Sequence, residues 1–355
     1  MLKVGVIGLG SISEFHLNAY QKNPKVQLMA ICDLNEKRLE EKGDYYQVDL
    51  RYTNYQELLA NKEVDAISIC TWNNTHAEIA IAALQAGKHV LIEKPISINT
   101  EQALQVENAA KASNKTVQIG FVRRFGSNTQ ILKKFIDNHD LGNIYYAKAS
   151  VIRRLGNPGG WFSDSKRSGG GPLIDLGVHI VDLCWYLMGK PKPVSVTGNT
   201  YSLLGNRSHI ENLSFYKAAD YDPGLNDVED LANAMIVFEN GASLLIDVSF
   251  TLHAKEDELS VKIYGEKGGA EVEPELLLVT EKHDTILNMQ PQIDFKGFDF
   301  DHAFDKEVNH FVECCITGNK TIAPVEDGVE VLRMLSAIYQ SANIGKEVRF
   351  DYGEE

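Results

Sequence analysis

KVGVIGLGSIS, residues 3 to 13, joins an apolar, strand-like run to a helical pattern through a glycine turn. A strand that ends in such a turn and opens a helix is the setting in which backbone N–H groups meet a pyrophosphate at the positive end of the helix dipole. Gly8 serves the tight turn, Gly10 lets the backbone approach the phosphates, and Ser11 and Ile12 complete the turn. Ser13 stands where the fingerprint has its third glycine, and its small side chain still permits close helix packing. The next apolar run, VQLMAICD at 26 to 33, ends in Asp33, 25 residues after Gly8. That is close to the ~20-residue spacing at which an acid grips the adenosine ribose hydroxyls. A carboxylate there repels a 2′-phosphate, so the cofactor read from these residues is NAD. Arg38 keeps NADP as the less favoured alternative.

Working outward, β-rich runs recur at 64 to 70 (VDAISIC), 89 to 94 (HVLIEK) and 116 to 122 (TVQIGFV). Amphipathic stretches lie between them at 75 to 87 and 100 to 113, with Asn99 and Thr100 placed as caps. Strand and helix alternating in this way predict a parallel sheet with helices on both faces. After residue 122 longer strand-like runs follow one another: 143 to 154, 193 to 204, 231 to 240, 242 to 252 and 258 to 268, with a hairpin turn at Glu239-Asn240-Gly241. The fold class is therefore α/β. Residues 1–122 form a Rossmann dinucleotide-binding domain, and residues 123–355 form a substrate-binding and oligomerisation α+β domain with a mainly antiparallel open sheet. Helical patterns at about 303 to 317 and 326 to 343 close the second domain, and 204 to 230 reads as its long loop.

Ligands of open α/β sheets sit at the carboxyl ends of the strands. The turn Thr71 to His76, which closes one strand, should then face the cofactor, with Thr71, Asn73 and His76 as candidate contacts; helix capping by Asn74 or Thr75 is the alternative. HVLIEKPISI, 89 to 98, places Glu93 and Lys94 on the same edge, within an otherwise apolar pattern. Two charges are seldom buried for stability alone. A lysine beside a reacting hydroxyl can instead stabilise developing alkoxide charge. In the second domain, GGGPLIDLGVHIVDLCWYLMG, 169 to 189, reads as one helix that carries no Lys, Arg or Glu. Leu173, Leu176, Ile180, Leu183 and Leu187 share a stripe, while Asp175, His179 and Asp182 align on another. Two carboxylates and one histidine without a further ligand cluster do not make a zinc site, so no metal is expected. A histidine general base oriented by Asp175 fits better, with a satisfied polar seam as the bland alternative.

The glycine turn with Asp33, the Thr71 to His76 turn, Glu93-Lys94-Pro95 and Gly169-Gly170-Gly171-x-Leu173-x-Asp175-x-Gly177-x-His179 together resemble the Gfo/Idh/MocA oxidoreductases over essentially the whole chain. The resemblance implies that Lys94 and His179 act on a substrate hydroxyl with Asp175 assisting. It also implies that Phe121, Val122, Arg123 and Arg124 lie near the substrate. Trp72 stands where that family usually has proline. The run 153 to 161, with Arg154 and Trp161, is similar to a subgroup acting on sugars and anhydrosugars. Arg123, Arg154 and Trp161 are thus candidates for holding a polyhydroxylated ring. The expected activity is NAD-dependent dehydrogenation of a sugar, glycoside or cyclitol. A dinucleotide- and sugar-sensing regulator and an NAD-retaining glycosidase are the alternatives.

The remaining composition narrows the partners. With 35 Lys+Arg against 49 Asp+Glu in 355 residues, the net charge of −14 disfavours nucleic acid and anionic membranes. Five cysteines without Cys-x-x-Cys spacing read as buried thiols of a reducing compartment. No run reaches the ~18 residues of a membrane span and no leader-like segment opens the chain, so the expected location is cytoplasmic. An uncovered sheet face in the second domain predicts a homodimer or homotetramer.

Overall fold

The computed structural model describes residues 1–352. Strands β1 (Leu2–Ile7), β2 (Val26–Cys32), β3 (Leu50–Tyr52), β4 (Ala66–Ile69), β5 (His89–Glu93) and β6 (Val117–Gly120) form one parallel sheet in the order β3-β2-β1-β4-β5-β6. The order reverses beside β1, the position at which doubly wound sheets open a crevice for a ligand. The central strands are mainly apolar because helices cover both faces; Val4, Val6, Ile67, Ile69, Val90, Leu91 and Ile92 are fully buried. Around them lie α1 (Ser13–Lys22), α2 (Glu36–Tyr46), α3 (Tyr55–Ala60), α4 (Asn73–Gln85) and α5 (Thr100–Ser113). Asn35, Asn54 and Asn99 cap α2, α3 and α5 by accepting the backbone N–H of Arg38, Gln56 and Gln102. Strand β3 was not expected from the sequence. It is a three-residue edge strand, Leu-Arg-Tyr, too short to show a pattern.

A second sheet begins after α6 (Ser127–Asp137). It is built from β7 (Ile144–Ile152), β8 (Pro193–Tyr201), β9 (Leu231–Phe238), β10 (Ser243–Ser249), β11 (Glu258–Gly265), β12 (Gly268–Glu273), β13 (Leu277–Lys282), β14 (Thr285–Met289) and β15 (Val348–Arg349). Its order is β14-β13-β12-β11-β7-β10-β9-β8-β15, antiparallel except for the β7–β10 pair. Gly241, at φ +80°, closes the expected β9–β10 hairpin. Along β9 Ala232, Ala234, Ile236 and Phe238 are buried while Met235 is exposed, so one face is covered and the other open.

Between β7 and β8 lie α7 (Ser165–Ser168) and α8 (Val178–Leu187), and α8 packs on the covered face of the sheet. The segment 169 to 189 is not one helix from its first residue. Gly169 and Gly170 take φ of +83° and +156°, outside any helix, and a π-helical turn, Leu173–Gly177, precedes α8.

Two long helices, α9 (Phe300–Thr317) and α10 (Val325–Ile344), precede β15. The division at residue 122 placed both in the second domain, but Phe300–Leu332 forms one compact unit with Met1–Phe125. Gly126–Asp299 and the chain from Arg333 on make the other. The physical reason lies in α9: Val308, Phe311 and Val312 join the core of Val4, Leu17 and Tyr20, and Phe304 stacks on Phe15 with ring centres 4.6 Å apart. The strand-like N-terminal region thus takes its last cover from a helix some 180 residues past β6. Among the described residues no helix is long and apolar enough to cross a membrane.

Candidate active site

The chemistry-bearing residues fall into one cluster in each compact unit. In the first, Gly8 has φ +88°, and a Cβ there would stand 2.6 Å from the Cys70 carbonyl oxygen, so the turn demands glycine. A Cβ on Gly10 would meet nothing within 4 Å. The space above that backbone is open. Asp33 directly follows β2 with its carboxylate already engaged: Oδ2 accepts the Leu9 N–H at 2.7 Å and pairs with Arg38 at 3.3 Å, and Oδ1 accepts the Asn35 N–H at 2.8 Å. Asp33 therefore fixes the glycine turn through the Leu9 N–H. Leu34, 85% exposed, offers an apolar face beside it. The donor set fits a dinucleotide: Gly8, Gly10, Ser11 and Ile12 give a turn before a helix, and an acid is held at the end of the adjacent strand.

At the end of β4, Trp72 takes φ −71° and ψ 150° as the residue before α4. A proline would adopt the same φ, so the family's usual residue and this one shape the turn alike. Thr75 donates to the Trp72 carbonyl. Thr71 is partly accessible, whereas Asn73 and His76 are buried. The ring nitrogens of His76 lie 2.7 Å from the Pro95 oxygen and 3.0 Å from the Thr71 oxygen, tying the ends of β4 and β5 together. Two carbonyl partners favour the imidazolium, yet burial is the larger influence and holds its pKa below the ordinary value. His76 thus braces the turn from beneath.

The charges of HVLIEK separate in the same way. From Val90 to Ser97 only Lys94 is not buried. Glu93 is 5% exposed and its Oε1 lies 2.9 Å from His16 Nε2, while its Oε2 accepts the Lys94 N–H at 3.2 Å. His16 Nδ1 meets Ser68 Oγ at 3.2 Å, and Ser68 Oγ meets Tyr20 OH at 2.6 Å. Glu307 on α9 is buried in the same cluster, and His16, Glu93 and Glu307 bring ligand-type atoms within 4.8 Å of one another. Burial, then Glu93 and Glu307, push the neighbouring Cys70 thiol well up. Glu93 is the buried anchor and Lys94 the presented group. Sequence reasoning missed His16, Ser68 and Glu307; the available signal was a histidine among the buried positions of α1.

In the second unit, every residue from Gly170 to Met188 is buried except Asp175 and His179. Asp182, grouped with them by spacing, is 1% exposed. His179 and Asp182 both lie in the regular helix α8, where three residues turn Asp182 about 60° away from His179 and into the buried side. Asp175 and His179 remain one turn apart on the accessible side.

The arginines divide too. The 3₁₀ turn Val122–Phe125 leaves Arg123 partly accessible, but Arg124 is 0% exposed, donates to the Ile322 oxygen at 2.6 Å and pairs with Asp327. Phe121 and Val122 are buried with it. Arg154 is exposed, its backbone held by Asp257 and by Arg207, and Trp161 is partly accessible with its ring 3.9 Å from that of Phe162.

Comparison with known proteins decides the family. Residues 2–121 match the model of an oxidoreductase family's NAD-binding Rossmann fold, and residues 133–350 match the C-terminal alpha/beta domain of the same family. The chain belongs to the Gfo/Idh/MocA oxidoreductase family. Among its relatives is the D-glucoside 3-dehydrogenase of Escherichia coli K12, 31% identical over 98% of this chain and 97% of that one. The myo-inositol 2-dehydrogenase of Thermotoga maritima is 30% identical over 75% of this chain and 74% of that one. A solved levoglucosan dehydrogenase in complex with NADH has the same fold, with a TM-score of 0.86 at 22% identity, covering 99% of both chains. As a member of the Gfo/Idh/MocA family, the protein is an NAD-dependent oxidoreductase.

Proposed function

We propose that the protein oxidises a secondary hydroxyl of a sugar, glycoside or cyclitol, with His179 as general base, Asp175 as its orienting partner and Lys94 as the donor to the substrate oxygen. The observation that carries this reading is that Asp175 and His179 alone stay accessible on a segment buried from Gly170 to Met188. NAD, which the Gly8–Ser13 turn and Asp33 would hold, would supply the acceptor for the hydride on the hydroxyl-bearing carbon. His179 takes the hydroxyl proton, and Asp175 stabilises the imidazolium that forms. The Lys94 ammonium hydrogen-bonds the same oxygen as its negative charge grows.

Gly8, Gly10, Ser11, Ile12, Asp33, Arg38 and Thr71 make up the cofactor cradle, with Asn73, His76 and Glu93 supporting it from below. Arg123, Arg154 and Trp161 order the ring, since donors and a flat apolar face match the two surfaces of a polyhydroxylated substrate. The sugar or cyclitol reading draws further support from relatives that match over nearly the full length, a D-glucoside 3-dehydrogenase and a scyllo-inositol 2-dehydrogenase. Retention of Lys94, Asp175 and His179 favours turnover over sensing.

The protein is read as a cytoplasmic homodimer or homotetramer. Free cysteines at 32, 70, 184, 314 and 315 suit a reducing compartment. The open sheet face carries exposed Tyr201, Met235 and Tyr264, which support pairing through that face. The test is a panel of glucosides, anhydrosugars and inositols followed by NADH absorbance. Reduction of NAD by one class is expected; no reduction by any member, with NADH still bound, overturns the reading.

A further inference from the structure

Glu229 is 7% exposed and lies just ahead of β9, yet its carboxylate serves the segment that carries Asp175 and His179. Oε2 accepts the Gly171 N–H at 2.9 Å, and Oε1 accepts both the Leu173 N–H at 3.1 Å and the Tyr339 phenol at 2.7 Å. The Gly171 carbonyl in turn accepts the Asp175 N–H at 3.0 Å. A continuous hydrogen-bonded path thus runs from Tyr339 on α10 through Glu229 to the backbone of Asp175.

The glycines before the helix make room for this pair. A Cβ on Gly170 would stand 2.1 Å from the Tyr339 oxygen, and one on Gly171 would stand 2.5 Å from the Glu229 carbonyl. An ordinary N-cap uses a side chain next to the helix. Here the acceptor comes from 58 residues away and is buried at a desolvation cost. Burial pushes the Glu229 carboxyl up against the pull of its three donors, and pushes the Tyr339 phenol well up. The π-turn Leu173–Gly177 thus opens on backbone N–H groups held by a side chain from outside the segment.

We propose that Glu229 and Tyr339 are positioning residues, a buried clamp that sets the placement of Asp175 and His179 for proton transfer. The inference rests on the proposed roles of those two residues. Misplacing a reacting group by about 1 Å costs ~100-fold in rate. Glu229→Gln replaces one acceptor oxygen by a donor facing a backbone N–H, while Tyr339→Phe removes one donor and keeps both backbone bonds.

The experiment compares both variants with the wild type in kcat, KM for NAD and for the sugar, NADH affinity, melting temperature, and the ¹⁵N resonances of the His179 ring. Expected are a kcat loss of about thirtyfold or more for Glu229→Gln and about fivefold for Tyr339→Phe, with NADH affinity and KM for NAD within about twofold. The His179 resonances should move in both. Folded variants whose kcat and His179 resonances match the wild type overturn the proposal, as does a fall in melting temperature alone. Should Glu229→Gln fail to fold, Tyr339→Phe decides by the same two readouts. If the wild type oxidises no polyol, the functional reading fails separately, and the His179 resonances still decide the clamp.

Discussion

His16 Nε2 and Glu93 Oε1 meet at 2.9 Å with both side chains buried, one residue before Lys94. Removing one partner of a buried hydrogen bond leaves the other unsatisfied, at a cost of about 1–3 kcal/mol. His16→Ala should therefore lower the melting temperature by several degrees. It should also depress kcat, because the Glu93 carboxylate that holds the Lys94 N–H loses its own anchor. Thermal denaturation together with steady-state kinetics checks both. An unchanged melting temperature would show that the cluster contributes nothing to the strand end.

Asp33 carries a second testable relationship, since it holds both the Leu9 N–H and Arg38. Asp33→Ala removes the charge that opposes a 2′-phosphate and releases the guanidinium. Charge-assisted hydrogen bonds of this kind contribute ~1.5–3 kcal/mol, so NADH should bind about tenfold or more weakly. NADPH should bind no worse than before, which shifts the ratio of the two affinities. Titration of both cofactors measures it, and equal losses for the two would remove Asp33 from discrimination.

His76 links folding to pH. Its folded-state pKa is lowered by burial, so the unfolded chain takes up its proton first as the solution is acidified. The stability from keeping this ring neutral is complete above the ordinary value of 6.5 and is lost as pH falls below it towards the folded pKa. His89 and His310 are lowered by burial too and act with the same sign. Melting temperatures measured from pH 8 to pH 5 should fall more gently for His76→Gln than for the wild type. Parallel curves would mean that His76 binds its proton equally in both states.

Five of the six strands of the parallel sheet were legible because each is an apolar run bounded by turn residues, and Asn99 announced its helix through its cap. Strand β3 was not, having three residues and no periodicity. Residues 268 to 289 were not read as strands either; β14 is exposed along its whole length and shows no buried face to betray it. The accessibility of Lys94, Asp175 and His179, the residues proposed for the chemistry, was signalled by polar groups set in apolar runs. Their support was not: His16, Glu229, Glu307 and Tyr339 reach their partners through tertiary contacts 52 or more residues distant in the chain, and single-sequence spacing carries no trace of those. The stripe that included Asp182 failed because three residues of α8 turn Asp182 about 60° away from His179, far enough to bury it.

Lys94 and His179 are proposed to share one oxygen, and their variants should fail differently. Lys94→Met removes a donor that matters when charge develops, so kcat should fall by about a hundredfold or more while NADH affinity stays within a few fold. His179→Ala removes the proton acceptor itself. Oxidation needs a neutral imidazole, so the wild-type kcat/KM rises with pH as the ring gives up its proton, and the alanine variant should lose that inflection. Added imidazole should restore part of the rate in His179→Ala, because the vacated space admits the missing ring, and should do nothing for Lys94→Met. Rescue of neither variant, with the pH inflection intact in His179→Ala, would assign the proton to another group and leave His179 a satisfied polar residue on an otherwise buried helix.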